Sequence, residues 1–447
     1  MTANERRIHL SDHFTYGRLL RFTFPSMVMM VFTSLYGVVD GIFVANFAGK
    51  SALAGINFVY PILNILATFG YMFGSGGSAL VSKTLGEGEN KKANSLFSLF
   101  VYISFILGVV FAVAGFFLLR PLMAFLGAEG TMLSEAVLYG NILLISMPLW
   151  NLQFLFQIFF ITAEKPKLGL YVTLLAGCAN MVLDALFLGV FKWGIAGAAI
   201  ATAISQLLGG GVPLIYFFMK NKSLLRLGKT HFDGKAMLKG TTNGASELIS
   251  GVSGSLVGIL YNTQLLKYAG EDGVAAYSIM MYVAFIFIGI FFGYVNGISP
   301  VIGYNYGAKN HIELKSLLKK SFTLIIAASV LMLILSESLS KPLSFIFAGN
   351  DEGLFSLTLR GFRIYSLSFL LSGTAIFGSA FFTALNNGLI SGTISFMRTV
   401  VFQVLCVMAF PLLWDIDGIW YSVPASEALS VAVSVIFLIV MRKKYNY

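Results

Sequence analysis

The sequence is poor in charge: 11% of its 447 residues are Asp, Glu, Lys or Arg, against 57% hydrophobic ones. A soluble domain needs about a quarter of its residues charged to meet water, so a soluble fold is excluded, and a mean hydropathy of +0.82 agrees. Cysteine is nearly absent. Cys178 and Cys406 both fall inside apolar blocks, which excludes a disulfide framework and reads as small apolar packing. The four histidines, His9, His13, His231 and His311, lie in tails or loops at no metal-ligand spacing. No GxxxxGK[ST] run occurs, which removes direct ATP hydrolysis. No cluster of catalytic polar residues marks one interface, so neither an enzyme nor a cofactor is expected. The polar first twenty residues are followed by no small-residue cleavage site and read as an uncleaved tail.

What the chain has instead is apolar blocks of roughly 20 residues or more, the length an α-helix needs to cross a hydrocarbon layer about 30 Å thick. They fall near 22–46, 52–82, 94–119, 133–162, 168–189, 194–219, 240–266, 273–304, 315–340, 356–385, 388–412 and 419–440, which makes twelve. With the N-terminus inside, 22 basic residues lie on cytoplasmic segments, 7 on outer ones and one, Arg398, within a span. This bias toward the cytoplasm orients the chain and places both termini there. It also explains the net charge of +10, including the basic linker from Lys220 to Lys239, without nucleic acid.

The linker separates two copies of one unit. Phe47-Ala48-Gly49 matches Tyr268-Ala269-Gly270 and Thr162-Ala163 matches Thr383-Ala384, each 221 positions on, and Gly194-Ile195 matches Gly418-Ile419 at 224. Six spans per copy is an even number, so both copies enter the membrane from the same side. The expected fold is an all-α membrane protein: twelve transmembrane helices in two parallel six-helix bundles related by a pseudo-two-fold along the membrane normal. The expected organisation is a tail at 1–21, a bundle at 22–220, a basic linker at 221–239, a second bundle at 240–441 and a tail at 442–447. Gly70 and Gly74 correspond to Gly293 and Gly297, small faces at i,i+4 that permit close helix packing or a shared gliding contact.

Charge inside a membrane costs roughly 3 kcal/mol at the centre on insertion scales, so each such residue is a functional candidate. Asp40 in span one and Asp184 in span five stand out. Asn180 lies one turn before Asp184 on the same helix face, and Thr202 lies in span six. Two carboxylates, an amide and a hydroxyl form an oxygen-rich set suited to a hard cation such as Na+; two neighbouring carboxylates could equally hold a proton. The second copy has Tyr261 at the place of Asp40 and an acid-free run, Val404 to Met408, at that of Asp184. The fold therefore does not require the acids. Glu247, early in span seven, could meet a cationic substrate or reach the linker lysines. Arg398 and Glu427 are expected to neutralise each other across adjacent helices. Tyr36, Gln153, Gln157, Tyr277 and Met280 are candidates, with Glu247, for the lining of a central cavity.

The duplicated unit, Asp40, the Asn180/Asp184 pair and Thr202 resemble the multidrug and toxic compound extrusion (MATE) family. Runs such as YGVVDGIFVANFAG, GASELISGVSGSLVGILYN and PVIGYNYGA look like its staphylococcal multidrug exporter branch. The resemblance implies two bundles around a V-shaped cavity and export of small molecules by alternating access, driven by Na+ or H+. It places the coupling cation at Asp40, Asn180, Asp184 and Thr202. It departs from members with acids in the second bundle, since Tyr261 and the stretch around Leu405 offer none. A flippase for lipid-linked or polysaccharide precursors is the alternative. Expected partners are a small-molecule substrate, the coupling cation and the lipid bilayer of a bacterial cell membrane, the chain acting as a monomer.

Overall fold

A computed structural model describes residues 8–349 and 351–447; residues 1–7 of the expected N-terminal tail lie outside the described residues. The described chain is helical almost throughout. Helices α1 to α6 are Tyr16–Phe47, Lys50–Gly86, Asn90–Phe125, Gly130–Thr162, Pro166–Asp184 and Gly194–Phe218. A continuous stretch, Gly234–Gly307, follows. At 1.5 Å per residue its 74 residues would far exceed a bilayer. It breaks at Gly270, whose φ of 64° and ψ of −152° suit only glycine. The chain reverses there: the rings of Tyr261 and Tyr277 stack at 5.5 Å, whereas sixteen residues of straight helix would hold them about 24 Å apart. The stretch thus supplies α7 (234–269) and α8 (271–307). Helix α9 is His311–Ala348, α10 is Glu352–Ser366 with Phe369–Ala384 bent by 44°, α11 runs from Gly388 to Ala409, and α12 is Pro411–Tyr445. Counting α7 and α8 apart and α10 as one gives twelve spans among the described residues.

Several helices begin outside the apolar blocks because polar side chains cap them. Thr15 accepts from Arg18 N, so α1 starts well before residue 22. Asp233 accepts from the N–H groups of Lys235 and Ala236, each at 3.0 Å, and starts α7 inside the stretch assigned to the linker. The non-helical linker is therefore 219–233. It is stapled to α3: Arg226 N donates to Asn94 Oδ1 at 2.6 Å and Gly228 N to Ser98 Oγ at 3.0 Å.

Each half packs its own core, the first around Phe97, Phe156 and Phe217 and around Tyr139, Leu143 and Met147, the second around Phe291, Phe377 and Trp420. The halves meet along α2 with α7 and along α1 with α8, and glycine lets the backbones touch. A Cβ on Gly76 would stand 2.0 Å from Gly240 O, one on Gly244 the same distance from Met72 O, and one on Gly307 the same from Lys83 O. Gly293 and Gly297 of α8 press on Met27 and Thr23 of α1, while Gly70 and Gly74 press on Asn151 and Leu155 of α4. The two matching glycine pairs thus differ: one packs within a bundle, the other joins the bundles. Cys178 is exposed rather than packed inside, whereas Cys406 is buried.

The cross-bundle approaches run from the end carrying Gly86 and Gly307 to mid-helix, where Gly251 meets Thr68 and Gly289 meets Ser34. A strap, residues 8–15, crosses this closed end. Glu164 of the first half pairs with His9 Nδ1 at 2.6 Å and accepts from Leu10 N at 2.7 Å. Glu313 of the second half does the same for His13 (2.6 Å) and Phe14 N (2.9 Å).

Gly76→Leu is expected to hold the closed end apart while each bundle stays folded. With both native cysteines replaced by Ala, a Ser82→Cys reporter at this seam should react with a water-soluble maleimide roughly tenfold faster, the effect of about 1.4 kcal/mol on an opening equilibrium. An unchanged rate would contradict the seam.

Candidate functional site

Asp40 sits near the far end of α1 and Asp184 is the last residue of α5. Beyond Asp184 the chain widens into a π turn, Ala185–Val190, a local irregularity common where a helix serves a site. The structure brings the two carboxyls together as direct neighbours. Asp184 is fully buried, and neither of its oxygens has a hydrogen-bond partner from the chain; the same holds for Asp40 Oδ1, Asn180 Nδ2 and Thr202 Oγ1. Two carboxylates face each other as acceptor to acceptor, so neither satisfies the other. Burying unpaired acceptors costs several kcal/mol unless a positive charge or a proton joins them.

Asn180 stands one turn from Asp184, and Thr202 lies near Tyr139 without a hydrogen bond between them. Tyr60 of α2 lies near Asp40, and Tyr139 of α4 lies near both carboxyls. Neither was picked out by sequence, because helices distant in the chain supply them and an isolated Tyr in an apolar span carries no pattern. Tyr36, expected in the cavity, belongs to this cluster: it neighbours Asp40 and Gln153 and packs on Gly177.

A separate cavity of about 690 Å³ lies between the bundles. The second half supplies most of its wall, including Tyr261, Tyr277, Met281, Gln403, Arg398 and Glu427, with Asn64 of α2 opposite. Neither Asp40 nor Asp184 lines it. Met280 does not line it either; it is 1% exposed within the second core, because on α8 the face shared by Tyr277 and Met281 at i,i+4 turns inward. Gln153 and Gln157 are buried against Gly209 and Thr173 in a crevice of about 10 Å³, since the polar side of α4 turns toward α6 and not toward the other bundle. Glu247 also lies off the cavity wall. The cation acting on it is Arg398, not a linker lysine, and Tyr71 is a further neighbour.

Arg398 lies in the second π turn, Met397–Phe402. Its Nε donates to Glu427 Oε1 and Oε2 at 3.1 and 3.0 Å and its terminal nitrogen to Oε1 at 2.8 Å. Both side chains are largely buried, at 13% and 5% exposure. Where the first half has Asp40, the second has Tyr261, whose hydroxyl bonds Gln403 at 2.7 Å and Ser422 at 2.8 Å. This neutral trio is complete without an ion.

Residues 25–186 and 248–408 match the MatE family. The chain belongs to the MatE family. The two matched stretches are successive copies, spaced like the internal repeat. Among curated relatives, the multidrug export protein MepA of Staphylococcus haemolyticus is 24% identical over 447 residues, spanning 99% of this chain and 97% of its own. MepA of Staphylococcus saprophyticus is 22% identical over 443 residues, with the same coverage. A solved outward-facing multidrug resistance MATE transporter superposes with a TM-score of 0.91 at 19% identity, over 97% of each chain. The MatE fold in this chain is thus a multi-pass membrane protein of two six-helix bundles. Its two copies differ chemically: an unsatisfied acid pair in one and a closed hydrogen-bond trio in the other.

The Arg398–Glu427 pair gives a test of its own. Arg398→Met should cost about 3–5 kcal/mol by leaving Glu427 buried and unpaired, while Arg398→Met with Glu427→Leu should recover most of it. Thermal unfolding in detergent decides; a double variant no better than the single would contradict this account of the pair.

Proposed function

We propose that the protein exports small organic compounds, often cationic or amphipathic, from a bacterial cell in exchange for Na+ or H+ by alternating access. The observation that carries this reading is the Asp40–Asp184 pair, desolvated, adjacent and short of donors. The names of the curated relatives, multidrug export proteins, support the same direction. Both termini are read as cytoplasmic in the cell membrane, which makes the closed end the inner one and the cavity outward-facing. The chain is read as acting as a monomer.

Helix α1 links the two sites. Asp40 lies toward its outer end, and Thr23 and Met27 at its inner end press on Gly297 and Gly293 of α8. A cation arriving from outside neutralises the carboxyls and draws α1 toward α5. Any shift this imposes on α1 alters its seat on α8, and so the stability of the inner seam. Because the carboxyls do not line the cavity, ion and substrate act through this shared helix and not by displacing each other. Coupling of 1–3 kcal/mol between separate sites is ordinary. For an uncharged compound, one charge moving through 100 mV supplies about 2.3 kcal/mol, enough for roughly a 40-fold gradient at 1.4 kcal/mol per tenfold; exchange of a monovalent cation for one ion cancels this electrical term, and a second ion or the chemical gradient then does the work.

A flippase for lipid-linked or polysaccharide precursors would need a strongly cationic cavity to hold phosphates. The basic residue on the cavity wall, Arg398, is already bound by Glu427.

Efflux of a fluorescent organic cation from vesicles, under separately imposed Na+ and H+ gradients, tests the reading. One of the two gradients should drive efflux in the wild type. Asp40→Asn and Asp184→Asn should each abolish the driven component, leaving folding and passive substrate binding intact; gradient-driven efflux at wild-type rate in either variant would remove the carboxyls from coupling.

A further inference from the structure

At the closed end of the first bundle lies a second cavity, of about 460 Å³, away from the acid pair and the space between the bundles. It is enclosed by the start of α1, the turn between α4 and α5, the beginning of the linker at 222–224, and Ile8 and His9 of the strap. Cationic residues of three separate elements line it: Arg21 of α1, Lys167 at the α4–α5 turn and Lys222 of the linker. Among the described residues the carboxylate on its wall is Glu164, which is taken up by His9 and Leu10 N. The rest of the wall is apolar, including Phe22, Pro25 and Leu168. Tyr171 on its wall and Phe24, next to the lining residue Pro25 in α1, are exposed, at 63% and 61%.

Two simpler explanations fall short. Positive-inside bias accounts for bases at this end of the chain, but not for their gathering around one apolar-walled cavity. Nor does the repeated fold require them, for the matching turn of the second half, Leu385-Asn386-Asn387-Gly388-Leu389, holds no base. The groove beside that turn, lined by Thr242, Ile249 and Phe396, carries no charge.

We propose that this cavity binds the phosphate headgroup of an anionic phospholipid, with its acyl chains lying along Phe24 and Tyr171. The phosphate takes the place that a fork of cations from α1, the α4–α5 turn and the linker leaves between them, at the depth where helix ends meet the headgroups. A zwitterionic headgroup carries its own cation into the same fork and is disfavoured by it.

Native mass spectrometry of the full chain, titrated with phosphatidylglycerol, phosphatidylcholine or soluble glycerol phosphate, tests the site. Phosphatidylglycerol should be retained in preference to phosphatidylcholine, and glycerol phosphate should not displace it. Loss of one base should weaken retention roughly fivefold, and loss of three on the order of a hundredfold. The variants are Lys167→Gln and the triple Arg21→Gln, Lys167→Gln, Lys222→Gln, with Lys167→Arg expected to bind as the wild type. As a control, Lys309→Gln, Lys315→Gln and Lys319→Gln together remove equal charge from the same end of the second bundle. Equal weakening in the control, equal retention of both lipids, or displacement by glycerol phosphate would each overturn the proposal.

Discussion

The organisation of this protein depends on one constraint: two carboxyls held side by side, with no donor from the chain for either oxygen of Asp184 or for Asp40 Oδ1. Asp184 is fully buried and both its oxygens lack partners. Such a pair is tolerable only with a positive charge between its members, and that requirement converts an ion gradient into a force on the helices that carry them. Those helices are α1 and α5. Helix α1 is also the one that seats on α8 at the closed seam, so one rigid element carries the charge at one end and the bundle contact at the other.

The duplicated fold throws this into relief. Both halves share helix order, a π turn in the fifth span and its counterpart, and small residues at matched positions. Yet Tyr261 in the second half is satisfied by Gln403 and Ser422, and Arg398 is satisfied by Glu427. The second half shapes a cavity in which Tyr261 and Gln403 are paired with each other, as are Arg398 and Glu427. The first half keeps its polar groups short of partners, and a structure under no functional demand would have little reason to retain that cost.

Much of this was legible in the sequence, and for physical reasons. A bilayer imposes block length, so the spans could be counted, and the repeat made the two bundles visible. Asp40, Asn180 and Asp184 were legible because charge in an apolar block is conspicuous. What was not legible came from contacts between distant segments. Tyr60 and Tyr139 approach the carboxyls from other helices. The turn of Met280 into the core and of Gln153 and Gln157 toward α6 depends on how each helix is rotated, which composition does not fix. Cys178 reads as a buried residue until its helix face is known to be exposed. Helix starts were misjudged where Thr15 and Asp233 cap them outside the apolar blocks. The strap, with Glu164 and Glu313 each gripping a histidine and the following N–H, joins residues about 155 and 300 positions apart and leaves no local signal.

The central claim is that the acid pair of the first bundle is the ion's docking point. Calorimetric titration of the purified protein with Na+ across a series of pH values measures this most directly, since the coupling ion, whether Na+ or H+, has to bind at that one carboxyl pair. The account predicts a single cation site, seen either as Na+ binding weakened at low pH or as proton uptake insensitive to Na+. It should be lost in Asp184→Asn and kept when Arg398 and Glu427 are replaced together. A cation site that survives in Asp184→Asn, or that vanishes with the Arg398–Glu427 pair, would contradict it.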